Sequence, residues 1–197
     1  SAPFFGQNFD PKIFQKAGDE GVLLLLSDST NVERCEHSRS ESTVYEAFDE
    51  LFAVADGLTM VAMFSSNVAR VAQVFELAKK QNKKVALCGR SMEQNFRLAL
   101  ESGHIKDTAG QLISLDNLDK ENRRDVIVLT TGTQGEYRSA LWRVSQGEHQ
   151  SIDLEEGDRV LMSSRFIPGN EKSVGRMINN LFKQGADVLY ESVHQIH

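Results

Sequence analysis

Five short runs of small polar residues hold the side chains with chemical capacity in this chain. They are Ser27-Asp28-Ser29-Thr30, Ser65-Ser66-Asn67, Gly89-Arg90-Ser91, Thr130-Thr131-Gly132-Thr133-Gln134-Gly135-Glu136, and Ser163-Ser164 with the following Pro168-Gly169-Asn170 turn. Hydroxyls, an occasional arginine and glycine-rich backbone suit one task above others, which is holding an anion such as a phosphate through N–H and O–H donors. Neither Gly89-Arg90-Ser91 nor Thr130–Glu136 has the spacing of a P-loop or of a dinucleotide-binding glycine motif. No His-x-x-x-His pair, Cys-x-x-Cys pair or Gly-x-Ser-x-Gly elbow is present, and no complete catalytic set stands within the sequence. Among the acids Asp28 is notable, between two serines at the end of an apolar run; it either caps the next turn or belongs to a site. His194 and His197 are close in sequence, but on a strand that spacing points them to opposite faces.

Each run follows a short apolar stretch, and most precede a helix-like pattern. Val160–Met162 leads through the serines to Asn170, a good helix N-cap, after which Val174, Met177, Ile178, Leu181 and Phe182 recur with helical spacing. Gly185 then suits a helix end, and Asp187–Tyr190 reads as the next strand. Val22–Leu26, Met60–Phe64, Val85–Cys88 and Val126–Leu129 repeat this layout. Helical periods follow at Val68, Val71, Phe75 and Ala78, and again at Met92, Phe96, Ala99 and Leu100. The pattern predicts an α/β fold with three Rossmann-like layers around a mostly parallel sheet, whose strand-end loops converge on one edge. Ser, Asn and Gly are also ordinary turn and cap residues, so one such loop alone means little; several on one edge predict a crevice.

Between these units the chain is plainer. Ser1–Glu20 is a lead-in segment with a short helix over Pro11–Ala17 and four phenylalanines that need a packing partner. The charged stretch Asn31–Ser40 reads as a surface loop carrying Cys35 and His37, and Ser42–Ala55 as an amphipathic helix. Ile105–Arg124 is a polar connection with a short apolar piece at Leu112–Leu115. Ser139–Ser145 reads as a helix, Ser151–Leu154 as a short strand, and Glu155–Asp158 as a turn. The abrupt stop at Glu191–His197, just past a strand, suggests a truncated chain.

A chain of 197 residues can bury one sizeable core. It has no apolar stretch long enough for a bilayer and no signal-peptide pattern, so no membrane association is expected. Its two cysteines, Cys35 and Cys88, form no disulfide or metal pattern. That usage suits a reduced, cytoplasmic setting, with Cys88 filling the core. The net charge of −6 argues mildly against broad electrostatic binding of nucleic acid. A local cationic crevice remains open, because Arg90, Arg138 and Arg165 all lie in or beside the strand-end loops.

Taken in order, Leu26-Ser27-Asp28-Ser29-Thr30-Asn31, Phe64-Ser65-Ser66-Asn67, Gly89-Arg90-Ser91-Met92, Thr131–Glu136 and Ile167-Pro168-Gly169-Asn170-Glu171 resemble the motifs of bacterial ribonuclease J. The resemblance runs from about Gly21 to His197. It implies that residues 21–197 are a β-CASP domain, with residues 1–20 entering from a metallo-β-lactamase domain. It implies an RNA-binding part of a metal-dependent 5′–3′ exoribonuclease or endoribonuclease of RNA maturation and decay, with two zinc ions in the full-length enzyme and none held here. Asp28 would orient a histidine beyond the C-terminus. Ser65, Ser66, Asn67, Arg90, Ser91, Ser163, Ser164 and His197 would contact RNA. Implied partners are RNA and further copies of the chain or an RNA-degradation complex. Arg165-Phe166, where the family commonly has small residues and proline, and the loop Asn31–Ser40 depart from the pattern. Two other readings stay open: a stand-alone Rossmann-like module for a nucleotide or sugar phosphate, and a non-catalytic scaffold of an RNA-degradation complex.

Overall fold

Along the central strands, successive apolar side chains belong to two different cores, and that alternation defines the layers. The computed structural model describes residues 10–29, 40–106, 108, 110–190 and 196, and the chain divides into two units, Ser1–Thr43 and Val44–His197. The second contains β1 (Thr59–Ala62), β2 (Lys84–Cys88), β3 (Leu112–Ile113), β4 (Val126–Thr130), β5 (Arg159–Met162) and β6 (Asp187–Leu189). They form one sheet in the order β3-β2-β4-β1-β5-β6, and every pair is parallel.

Val61, Val85, Leu87, Ile127, Leu129, Leu161 and Leu189 face one core. It is closed by the apolar sides of α2 (Glu41–Ala53), α3 (Val68–Lys80) and α4 (Arg90–Glu101). Met60, Ala62, Ala86, Cys88, Val128, Val160, Met162 and Val188 face the other core, beneath α5 (Ala140–Ser145) and α6 (Glu171–Lys183). This is the three-layer α/β arrangement expected of apolar strands linked by helical crossovers. Burying each side chain such as Ile127 or Leu161, both at 0% exposure, is worth roughly 1.5–3 kcal/mol.

The order of crossovers matters for the site. From β1 the chain passes through α3 and α4 to β2 and β3 on one side of the sheet. It returns to β4, beside β1, and then passes through α5 and α6 to β5 and β6 on the other. The connections therefore diverge between β1 and β4, at their C-terminal ends. Such a divergence leaves an opening that neither helical layer covers.

The opposite edge of the sheet is fastened by Asp158, 1% exposed just before β5. Its carboxylate accepts from the backbone N–H of Leu58 at 2.7 Å and of Glu155 at 2.9 Å, and from both Nε and Nη2 of Arg123. Gly57 leaves room for it, since a Cβ there would stand 2.6 Å from Asp158 Oδ1. Asp187 N–H donates to the Asp158 carbonyl at 2.8 Å, so one residue joins the starts of β1, β5 and β6.

In the first unit α1 spans Pro11–Glu20, longer than the Pro11–Ala17 expected. Asp10 caps it by accepting from Lys12 N–H at 3.0 Å, and Gly21 follows it with φ 88°. The strand read over Val22–Leu26 does not form. These residues are irregular and exposed, with a bend at Leu23, which is fully exposed, and they have no ladder partner among the described residues. A strand needs a neighbour for its backbone groups, and an apolar run does not say which neighbour it has. The strand expected at Ser151–Leu154 is likewise absent: Ile152 and Leu154 are buried in the second core, but as loop residues. Most of Asn31–Ser40, with Cys35 and His37, and all of His194 and His197 lie outside the described residues. No helix among the described residues is long and apolar enough to cross a membrane.

Candidate functional site

At the divergence between β1 and β4 lies a crevice lined by Met63, Phe64, Ser65, Ser91, Thr131, Gly132, Thr133, Glu136 and Ser139. Its walls are the loops that follow β1 and β4 and the first turn of α4. Met63 N–H donates to the Thr130 carbonyl at 3.0 Å, continuing the pairing of β1 with β4 one step past the strands. Two glycines permit the close approach of these loops. A Cβ on Gly132, whose φ is 111°, would meet Ser139 Oγ at 2.2 Å, and one on Gly135 would meet the backbone of Ser173 at 2.7 Å. The latter contact presses the β4 loop against the first turn of α6.

Ser65 and Ser91 both line the crevice. Ser65 Oγ accepts from Asn95 Nδ2 at 2.8 Å, which ties the β1 loop to α4. Ser66 is exposed on the same loop. Asn67 turns its Oδ1 to the N-terminus of α3, accepting from Arg70 N–H at 3.1 Å, so that oxygen serves as a helix cap. Arg90 is exposed as the first residue of α4, directly after Gly89.

Ser163 and Ser164, after β5, are buried at 1% and 3% exposure. Ser163 is committed inward. Arg70, buried within α3, donates through Nη1 to both its carbonyl (2.9 Å) and its Oγ (3.2 Å), and that Oγ donates to the Ile196 carbonyl. The Ser164 hydroxyl makes no hydrogen bond with the described residues. Ser163 thus anchors the neighbour of His197, and His197 itself lies outside the described residues. Asp28, exposed in the other unit, has the Ser27 hydroxyl donating to its carbonyl oxygen at 3.2 Å.

Gln134, quoted in the sequence only as part of a motif, does most to join the loops. It is 5% exposed. Its Nε2 donates to the Arg165 carbonyl at 2.8 Å and its Oε1 accepts from Ile167 N–H at 2.8 Å, so one amide pairs with the backbone on both sides of Phe166. Asn170 Nδ2 reaches the same Oε1 at 3.5 Å, and Gln134 N–H donates to Glu136 Oε2 at 3.0 Å. Asn170 stands at the N-cap position expected, but its side chain makes no cap bond to α6. Instead Glu171 accepts from Gly169 N–H with both oxygens, at 2.9 and 3.0 Å, and these bonds hold its carboxyl below the usual range.

A pair of titratable groups lies at the C-terminal end of β2, just before α4. Cys88 Sγ stands 3.3 Å from His149 Nε2, while His149 Nδ1 accepts from Ser151 N–H at 3.3 Å. Acceptance at Nδ1 places the imidazole proton on Nε2, directed at the sulfur. Burial pushes the thiol up and, with the Arg143 charge behind it, pushes the imidazole down. Both groups are therefore neutral near pH 7, and Cys88 fills the core as its apolar strand indicates.

The described residues do not fit a metal centre: nowhere among them do three His, Cys, Asp or Glu side chains converge to hold an ion. The crevice offers the hydroxyl residues Ser65, Ser91, Thr131, Thr133 and Ser139, with the exposed Arg90 next to Ser91 and one carboxylate, Glu136, in the wall; the hydroxyl side suits an anionic ligand.

The class this defines is a doubly wound parallel α/β domain with a polar crevice at its switch point. The family described as ribonuclease J, beta-CASP domain, matches residues 56–181. Ribonuclease J of Helicobacter pylori (strain B128) is 43% identical over 180 residues, covering 91% of this chain and 26% of that protein. Ribonuclease J of Mycobacterium tuberculosis (strain H37Rv) is 41% identical over 192 residues, covering 98% and 34%. Ribonuclease J 1 of Streptococcus pyogenes serotype M3 is 39% identical over 191 residues, covering 95% and 34%. The chain belongs to the ribonuclease J family as its β-CASP domain, and it spans about a quarter to a third of the length of these relatives.

Proposed function

We propose that this domain holds the RNA in a ribonuclease J-type enzyme, with the crevice between β1 and β4 gripping the sugar-phosphate backbone. The observation that carries the reading is the convergence of Ser65, Ser91, Thr131 and Ser139 on one opening, beside the exposed Arg90, in a β-CASP domain of that family. Hydroxyls and helix-start N–H groups recognise phosphate without reading base identity, which suits an enzyme that handles many RNAs. Ser66, Asn67 and Ser164 border this grip. Ser163 acts beneath it, fixing the chain next to His197, the residue that meets the phosphate near the cleaved bond. Asp28 supports the catalytic centre by orienting a histidine. In the whole protein, hydrolysis is exonucleolytic from the 5′ end, endonucleolytic, or both. It depends on a metal pair, zinc by family resemblance, held by residues other than those described. The setting is the cytoplasm, and residues 1–20 lead into the domain from its metallo-β-lactamase partner. The enzyme works as a homo-oligomer or within an RNA-degradation complex.

The test is binding of a short 5′-monophosphorylated RNA to the chain across a salt series, beside Arg90→Ala. Affinity should fall as salt rises, and the variant should bind more weakly with a log–log slope shallower by about 0.7, the share of one phosphate contact on a single strand. Absence of binding at low salt, or binding indifferent to salt, would overturn the reading.

A further inference from the structure

Between two residues that line the crevice, Glu136 and Ser139, the sequence places an exposed aromatic ring. Tyr137 is 71% exposed, although its neighbours Glu136 and Ser139 help to line the opening. The ring is nonetheless held in place. The Arg138 guanidinium carbon lies 5.3 Å from its centroid. Trp142 meets it edge-on, with centroids 4.8 Å apart and planes at 69°. Arg138 adopts φ 62°, a left-handed conformation that costs a residue with a Cβ of order 1 kcal/mol or more. Ser139, next in sequence, turns back to cap α5 by accepting from Trp142 N–H at 3.2 Å. One cation–π contact and one edge-on aromatic contact thus hold an exposed ring next in sequence to a residue of the crevice wall. Phe64, 45% exposed, is the aromatic residue in the lining itself.

We propose that Tyr137 is a stacking platform for an unpaired nucleobase beside the crevice. The inference rests on the RNA-binding reading above and adds a base-contacting residue to it. Every base has a π-face, so an aromatic platform binds any sequence. A duplex already stacks its bases on one another and has none to offer. Arg138 supplies positive charge beside the ring, matching the phosphate that accompanies the base. Because Arg138 and Trp142 already fix the ring, little side-chain freedom is lost when a base lands on it. Glu136 in the same wall repels phosphate, so the backbone would run along the hydroxyl side, by Ser65 and Ser91.

The experiment compares the wild-type chain with Tyr137→Leu and Tyr137→Phe. The probes are a single-stranded adenosine decamer, an abasic decamer of equal charge, and an RNA duplex of equal length. Trp142, the sole tryptophan, reports binding through its emission. The proposal expects about tenfold weaker binding of the adenosine decamer to Tyr137→Leu, within the range for removing one stacked base. Tyr137→Phe should retain the affinity. The abasic decamer should bind all three proteins alike, and the duplex should bind the wild type more weakly than the single strand. Equal melting temperatures would show that the variants fold. Unchanged affinity of Tyr137→Leu in a chain that does bind RNA would overturn the stacking role alone. No RNA binding by the wild type at low salt would overturn both the stacking role and the RNA reading.

Discussion

Replacing Gln134 with methionine would test whether the crevice loops are held by one side chain. The substitution keeps the length and flexibility of the side chain and removes its amide. Two bonds of 2.8 Å to backbone are lost, from the Arg165 carbonyl and the Ile167 N–H. At about 1 kcal/mol net for each, the minimum cost is about 2 kcal/mol. Stranding the two backbone groups adds to this, but Arg165 is half-buried and Ile167 is 52% exposed, so water can reach them. The expected loss is therefore about 2–3 kcal/mol, below what two fully buried orphans would cost. Urea unfolding followed by circular dichroism reads the global loss, and hydrogen exchange at the Ile167 amide reads the local one. A loss below about 0.5 kcal/mol with unchanged exchange would mean the loops are held by packing alone, and the reasoning would fail.

Two further outcomes follow from the rest of the fold. Asp158→Ala should cost about 3–5 kcal/mol in the same urea assay, because it orphans the N–H groups of Leu58 and Glu155 and leaves Arg123 with only the exposed Glu155 as its carboxylate partner; a cost under about 1 kcal/mol would remove Asp158 from its structural role. His149 has its imidazole pushed below the ordinary 6.5 by burial first and by Arg143 second, so the unfolded chain takes up its proton more readily than the folded one. Its contribution is therefore fully present above pH 6.5 and is lost as pH falls toward the lower folded value. The urea midpoint should drop between pH 7 and pH 5, and His149→Gln should flatten that drop. A pH profile identical in the variant would contradict the assignment.

The sheet was legible because its strands are short apolar runs whose successive residues face two cores, as Met60 and Val61 or Ala86 and Leu87 do. Val22–Leu26 has the same composition but no ladder among the described residues, since the pattern records an apolar run and not its partner. The convergence of Ser65, Ser91 and Thr131 on one opening was also legible, because parallel strands send all their C-terminal ends to one edge. The direction of each side chain was not. Ser163 looks like Ser65 in sequence, yet it bonds to an arginine 93 positions away. Asn67 looks like a ligand contact and caps a helix. Gln134 joins two loops through partners in a segment that its own neighbours do not announce. Such long-range pairings leave no local periodicity to find.

The position of β1 has a consequence for how this domain acquires its crevice. Thr59 pairs with Ile127 on one side and with Arg159 on the other, and with no strand nearer in sequence. Neither of β1's ladder partners, β4 and β5, lies within the α3-to-β3 segment that follows it in sequence. The wall that β1 contributes to the crevice cannot be set until β4 arrives beside it. Early local structure in α3 or α4 gives no partial binding surface, since the opening exists only once the two halves of the winding meet. The crevice is thus a property of the completed sheet, and a chain that ends before β4 lacks one of its two walls.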